Sequence, residues 1–488
     1  MRLDLSARLA LRYGSRIALT DASRGGSLSF EELERRAASA AGRLRALGIH
    51  SGDRISILSG PDVEMVVLLF GALKLGAVLV PHNLRLTPAE FSADLERIRP
   101  SLLVRGRLVP GELASVTAPG RPTASLDELT TRSEAAPPSR PDELPDWEAP
   151  ALVLFTGGST GRPKGAILSL RALFMNALNT AEGWKLTGDD STITVFPMFH
   201  TGGWNVLLLP LMIVGGRTVF FDRFDPVEIL RLIDAEKATI LGGVPAMFID
   251  MVGRPEFAKA SLASLRFAKS GGGNSPPPVV KAFRDRGIPF YQGYGLTEAG
   301  PNLLYSTAED LERPGTIGRT NLLCEMRLVD EHGNDSDLGE LLVGGPVLFS
   351  GYLDNPEATA AAMSGPYVRT GDVLRRDADG FYYFVGRTKL MYKSGGENVY
   401  IAEVEQVLET HPLVVESAVI GVPDPKWGEV GRAYLVERSP VADDDLRRYM
   451  RERLAAYKVP KSFVRLPEIP HTRAGKKDYP LLVREGKS

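Results

Sequence analysis

The stretch Leu152 to Gly165, LVLFTGGSTGRPKG, constrains this chain more than any other. Four apolar residues, Leu152 to Phe155, give a short buried-strand signal, and the chain then breaks into glycines, hydroxyls and one lysine, Lys164. That pattern predicts a strand feeding a phosphate-holding loop. Glycines lack a Cβ, so successive backbone N–H groups can turn toward an anion, while the hydroxyls of Thr156, Ser159 and Thr160 add donors and Lys164 adds full charge. The spacing is not G-x-x-x-x-G-K-[ST], which sets the P-loop NTPases aside. On residue types alone, an ordinary Gly/Ser/Thr surface turn is the other reading.

At 488 residues the chain exceeds one ordinary core, so two or more domains are expected. A formal net charge of -2 and the lack of a long basic tract argue against nucleic acid as the main partner. The single cysteine, Cys324, excludes an internal disulfide and fits a reducing compartment. The first twenty residues mix Arg and Asp with short apolar runs and do not read as a signal peptide. Met65 to Leu73 is apolar but bounded by Glu64 and Lys74, too short for a membrane span, and a cytoplasmic location is expected.

Ser29 and Glu32 form a capping-box pair ahead of Phe30, Leu33, Ala37, Ala40, Ala41, Leu44 and Leu47, which recur at helical spacing until Gly48. Arg54–Leu58 reads as a strand, Asp62–Leu75 as a largely buried helix and Ala77–Val80 as the next strand, the rhythm of an α/β layer on a parallel sheet. Prolines in PGRP, APPSRP and ELPDWEAP predict a connecting segment without regular structure over 117–150. The α/β rhythm resumes over 165–265, and short alternating runs make 325–385 β-rich. After Gly386-Arg387 a small α+β unit is expected, with helices at Ala402–Glu409 and Asp443–Ala456 and strands near Ser417–Val422 and Arg432–Val436. The fold class is α/β: a large domain over 1–387, built from two α/β layers and a β-rich subdomain, and a small mobile domain over 388–488.

Further motifs follow in order: VFPMFHTGG, AKSGGGN, YQGYGLTE, YVRTGD, GFYYFVGR and HTRAGKK. Together with TGGSTGRPKG they resemble the adenylate-forming superfamily, which includes acyl-CoA synthetases, luciferases and the adenylation domains of peptide synthetases. The resemblance runs from about residue 150 to Lys476. It implies that Thr156, Gly157, Gly158, Ser159, Thr160, Gly161 and Lys164 hold the phosphates of ATP, and that Gly271, Gly272 and Gly273 lie along adenine and one wall of the acid pocket. By the same resemblance Tyr294 packs on adenine with Gly295 beside it, Thr297 contacts the α-phosphate, Glu298 ligates Mg²⁺, Asp372 takes the ribose hydroxyls and Arg387 reaches the nucleotide. His200, Gly203 and Trp204 border the carboxylate pocket together with Gly272 and Gly295. Lys389 occupies the hinge, and Lys476 aligns with the catalytic lysine, its neighbour Lys477 being the rival. These roles are chemically sound, since a hard cation wants oxygen ligands and a carboxylate can accept from both ribose hydroxyls.

The implied reaction is in-line attack of a substrate carboxylate on the α-phosphate of ATP, giving an acyl adenylate and pyrophosphate; rotation about Lys389 then admits a second nucleophile. Coenzyme A is the expected acceptor. Members of the superfamily that activate α-amino acids usually carry an aspartate in this region to pair with the ammonium group; FHTGGWN has none, so the resemblance implies an aromatic or aliphatic acid without a charged α-amine. Ile401 where proline is usual, Leu390 in place of an acidic residue and the ending KKDYPLL depart from the commonest pattern. They leave an amine acceptor, and hence an amide synthetase, as the alternative, and transfer to a carrier protein is also open.

Overall fold

The apolar run VEMVVLLFGALKL folds as the helix Val63–Leu75, buried on almost every side, with the Asp62 side chain accepting from the Glu64 N–H and Gly76 ending the helix in the left-handed region. It packs on the helix Phe30–Ala46, where Ser29 accepts from the Glu32 N–H as its capping position requires. Small residues set the approach: a Cβ added at Gly71 would lie 2.9 Å from Ala40 Cβ and 3.2 Å from the Ala37 carbonyl. The computed structural model describes residues 3–131, 146–156, 163–394, 397–472 and 475–485. No helix among them is long and apolar enough to cross a membrane.

Two compact units divide the chain. The first comprises Met1–Ser275, Val279–Met326 and Val343–Val368; the second comprises Pro276–Pro278, Arg327–Leu342 and Arg369–Ser488. In the first unit one sheet orders its strands Gly351–Tyr352, Lys164–Ser169, Pro150–Thr156, Val78–Pro81, Arg54–Leu58, Leu102–Arg105 and Thr123–Ser125. Pro150–Thr156 and the four strands beyond it are parallel, while Lys164–Ser169 and Gly351–Tyr352 join antiparallel. A second sheet runs Phe290–Gln292, Phe267–Ser270, Ile240–Gly243, Ser191–Thr194, Arg217–Phe220, Ile17–Asp21 and Ser27–Ser29, parallel but for the last. One face of it rests on a core that includes Phe248, Phe257, Phe283 and Phe290.

The second unit pairs Asp372–Arg376 with Tyr382–Arg387 and then forms an α+β body. Its strands Glu397–Tyr400, Met391–Ser394, Gly428–Glu437 and Val414–Asp424 are antiparallel, with Ser462–Arg465 added parallel to Gly428–Glu437. The helices Ile401–Glu409 and Asp443–Arg451 cover one face through Val404, Leu408, Leu446 and Met450.

The segment over 117–150 departs from expectation. It holds a short strand, Thr123–Ser125, and a helix, Leu126–Thr130, because Ser125 and Glu128 close a capping box and Leu126 and Leu129 are buried. The prolines of 132–145 lie outside the described residues.

Gly71→Leu should force apart the contact with Ala37 and Ala40 and cost about 1–3 kcal/mol. Earlier unfolding of the variant in a urea titration is the expected result.

Candidate functional site

Three candidate segments leave parallel strands of the second sheet at their carboxyl ends: 195–205 after Ser191–Thr194, 271–275 after Phe267–Ser270, and 293–303 after Phe290–Gln292. Parallel strands carry such exits to one edge, which is where open α/β sheets bind ligands. His200 is exposed at the start of the short helix Thr201–Asn205, its Nδ1 accepting from the Gly202 N–H at 3.2 Å. Trp204 is fully buried and its Nε1 donates to the Met198 carbonyl at 2.6 Å, so it supports the FPMFH turn from within the core. Gly203 is buried beside it.

The Gly271–Gly273 turn is held by a residue the sequence reading passed over. Gln292 donates to the Gly273 carbonyl at 2.6 Å and accepts from the Ser275 N–H at 3.2 Å, so both ends of one amide grip the loop. Tyr294 is half-buried, with its carbonyl accepting from the Leu303 N–H, and Thr297 is buried. The turn that carries Thr297 closes through the Leu296–Gly300 bridge. Only glycine fits at 295 and 300: a Cβ at Gly295 would overlap the Gly300 carbonyl, and Gly300, at φ +92°, lies against Asn176.

Glu298 is partly buried, and its Oε1 accepts from the Tyr352 hydroxyl at 2.8 Å. The ammonium of Lys164 stands 5.0 Å from the centre of the same tyrosine ring. Thr156 and Lys164 pair across the antiparallel ladder of their strands. Gly157, Gly158, Ser159, Thr160 and Gly161 lie outside the described residues. No group of three or more His, Cys, Asp or Glu gathers for a metal among the described residues. The single carboxylate of Glu298 fits Mg²⁺ in the mode that relies on one or two carboxylates and substrate phosphates.

Within the second unit Asp372 is buried and faces Arg387, whose Nε lies 2.8 Å from its Oδ1; the two are register partners across their strands. Lys389 is exposed in the turn bridged by Arg387 and Leu390. Lys476 is exposed in a turn bridged by His471 and Lys477, with its carbonyl accepting from the Thr472 N–H at 2.7 Å. Lys477 is committed elsewhere. Its Nζ sits 2.9 Å from both Glu405 and Glu409, and although burial opposes its charge, the two carboxylates raise its pKa above the usual lysine value.

Lys269 carried no signal in the sequence, since a lysine in a strand reads as solvated. It is 3% exposed on Phe267–Ser270, hydrogen-bonded to Asn302 Oδ1, with Nζ 4.4 Å from the centre of the Trp184 ring. Burial alone pulls its pKa down to about 7. Asn302 Nδ2 in turn donates to Thr180 Oγ1 and to the Val206 carbonyl.

A family model described as AMP-binding enzyme matches residues 7–353, and one described as AMP-binding enzyme C-terminal domain matches 403–476. The chain is similar to a feruloyl-CoA synthase of an Amycolatopsis species, 37% identical over 464 residues that cover 93% of this chain and 92% of that protein. It is 34% identical to the indoleacetate–CoA ligase of Aromatoleum aromaticum, with 92% and 91% covered, and 32% identical to the 2-succinylbenzoate–CoA ligase of Bacillus licheniformis, with 92% and 93% covered. Among solved structures, Bacillus subtilis o-succinylbenzoate CoA synthetase with its acyl-adenylate intermediate superposes at a TM-score of 0.86, 30% identity, covering 97% and 96% of the two chains. ATP-bound MatB from Rhodopseudomonas palustris gives 0.90 at 28% identity, covering 100% and 99%.

Because the folded pKa of Lys269 is depressed, the unfolded chain holds a proton that the folded chain has released between pH of about 7 and 10.5. Stability from this group is therefore least below about 7 and rises through that window. Lys269→Met should remove that rise, read as a flatter dependence of the melting midpoint on pH than in the parent.

Proposed function

This chain belongs to the AMP-binding enzyme family of the adenylate-forming superfamily and is an AMP-forming ligase, and from that premise we propose that it joins an aromatic carboxylic acid to coenzyme A through an acyl adenylate. The observation that carries the site assignment is the meeting of Lys164 and Glu298, from motifs far apart in sequence, on one side chain, Tyr352. A cation for phosphate and a carboxylate for a metal are brought to one place. Mg²⁺, when bound, neutralises phosphate charge.

In this reading an oxygen of the substrate carboxylate attacks the α-phosphorus of ATP, the bond to the bridging oxygen breaks, and pyrophosphate leaves. Lys164 and the Thr156 end of the loop bind the phosphates, Thr297 contacts the α-phosphate, and Tyr294 with Gly271 to Gly273 flanks the base. Asp372 and Arg387 belong to the nucleotide's ribose side, and His200 to the carboxylate. Lys476 supplies positive charge to the carboxylate and phosphate as they react. The thiol of coenzyme A then attacks the acyl carbon and AMP departs. The division into 1–387 and 388–488, with movement about Lys389, is part of the same proposal, as is a cytoplasmic location.

Feruloyl and indoleacetyl, the acyl groups named by the relatives at 37% and 34% identity, each carry an aromatic ring, which supports an aromatic acid. Coenzyme A is supported over an amine because these relatives are CoA ligases or synthases. The sequence departures that kept the amine open also have a packing explanation. Leu390 packs on the core of the small unit, its carbonyl accepts from the Ile401 N–H at 3.2 Å, and Ile401 is buried. In the KKDYPLL ending, Lys477 and Tyr479 bind Glu405, and Leu482 is buried.

Lys476→Ala should lower acid-dependent pyrophosphate exchange by roughly 10²–10³-fold, the scale of removing a transition-state charge donor. The same variant should still pass a supplied acyl adenylate to coenzyme A. Lys477→Ala, in contrast, should show its main loss in the melting midpoint. Assay of a panel of aryl and alkyl acids with ATP and coenzyme A, with products identified by mass, checks the substrate class; near-normal exchange in Lys476→Ala would remove the lysine's role.

A further inference from the structure

We propose that Tyr352 is a positioning residue for the metal carboxylate: its hydroxyl fixes one oxygen of Glu298 and so presents the other to Mg²⁺. The inference rests on the function proposed above and adds a residue to it. Tyr352 lies in none of the motifs that pointed to the site. It is placed by backbone hydrogen bonds that run to both of the motifs it serves.

The Phe349 N–H donates to the carbonyl of Glu298 at 2.9 Å, tying the segment to the YGLTE turn. Ser350 and Leu353 donate to the carbonyls of Ile167 and Gly165, each at 2.8 Å, and Tyr352 pairs with Ala166, which ties it to the strand that begins at Lys164. The Tyr352 N–H is taken up by Thr359 Oγ1 at 2.9 Å. With the backbone held on these sides, the ring stands edge to face with Phe349 at 5.0 Å between centroids and carries Lys164 at 5.0 Å. The hydroxyl therefore reaches Glu298 Oε1 at 2.8 Å from a fixed origin.

A carboxylate on a flexible stem loses rotational freedom when it binds a cation. A hydroxyl already bound to one oxygen removes part of that cost and sets the plane in which the other oxygen points. Loss of such a supporting partner ordinarily weakens metal binding about 10–100-fold.

The test uses the full chain and an α,β-methylene analogue of ATP, with nucleotide binding followed by calorimetry as Mg²⁺ is raised. In Tyr352→Phe, which keeps the ring against Lys164 and Phe349, the Mg²⁺ concentration at half-effect should rise about 10-fold or more, while metal-free nucleotide binding should stay close to the parent's. Tyr352→His, a ring with a donor, should recover part of the loss. In a Glu298→Gln background, Tyr352→Phe should add no further shift, because the carboxylate it positions is gone. An unchanged Mg²⁺ half-effect in Tyr352→Phe overturns the proposal, as does loss of cooperative melting in both tyrosine variants, which would assign the ring to packing alone. A parent enzyme whose nucleotide binding ignores Mg²⁺ would overturn the underlying reading instead, and the two failures are told apart by the parent's own titration.

Discussion

The direction of three strands is the constraint on which the site depends. Ser191–Thr194, Phe267–Ser270 and Phe290–Gln292 run parallel with Ile240–Gly243 among them, in registers such as Ile240 with Phe267 and Ala268 with Phe290. A parallel ladder has one polarity, so the chain leaves each strand at the same edge. Reversing one strand would send its loop to the opposite edge. The aromatic core of Phe248, Phe257, Phe283 and Phe290 holds this arrangement by burying a sheet face.

Irregular loops at such an edge have no ladder to satisfy their backbone, and buried amide side chains on the helix Leu170–Gly183 do that work. Asn176 donates to the Val347 carbonyl; Asn179 donates to the Asn302 carbonyl and accepts from the Leu323 N–H. Asn179 also touches the buried Cys324, whose thiol burial pushes up to about 12, which makes it a filler of space and no nucleophile. The close fit of Asn176 against Gly300 shows the two demands meeting: the loop must be glycine where the supporting amide passes beneath it.

What was legible in the sequence was whatever is local. Apolar runs gave Arg54–Leu58 and Val63–Leu75 nearly to the residue, and the strand Pro150–Thr156 ahead of its glycine loop followed from the same logic. The motif loops were recognisable because their residues are adjacent in the chain. Tyr352, Gln292 and Lys269 were not, since each acts through partners that are distant in sequence or that become neighbours only when a strand is laid down. Trp204, which the resemblance sets beside the carboxylate pocket, also donates its indole N–H to the Met198 carbonyl, a bond that nothing in FHTGGWN announces. Prolines over 117–150 were read too strongly, because one capping box was enough to found a helix between them.

Two adjacent lysines near the end of the chain differ in burial, and the half-buried one bears on how the other is placed. Lys477 is clamped by Glu405 and Glu409 on the helix Ile401–Glu409, while Lys476 stands one residue away at an exposed hairpin tip. The backbone that carries Lys476 is thus anchored, one residue on, to a helix by two ion pairs, and it shares that helix's frame within the small unit.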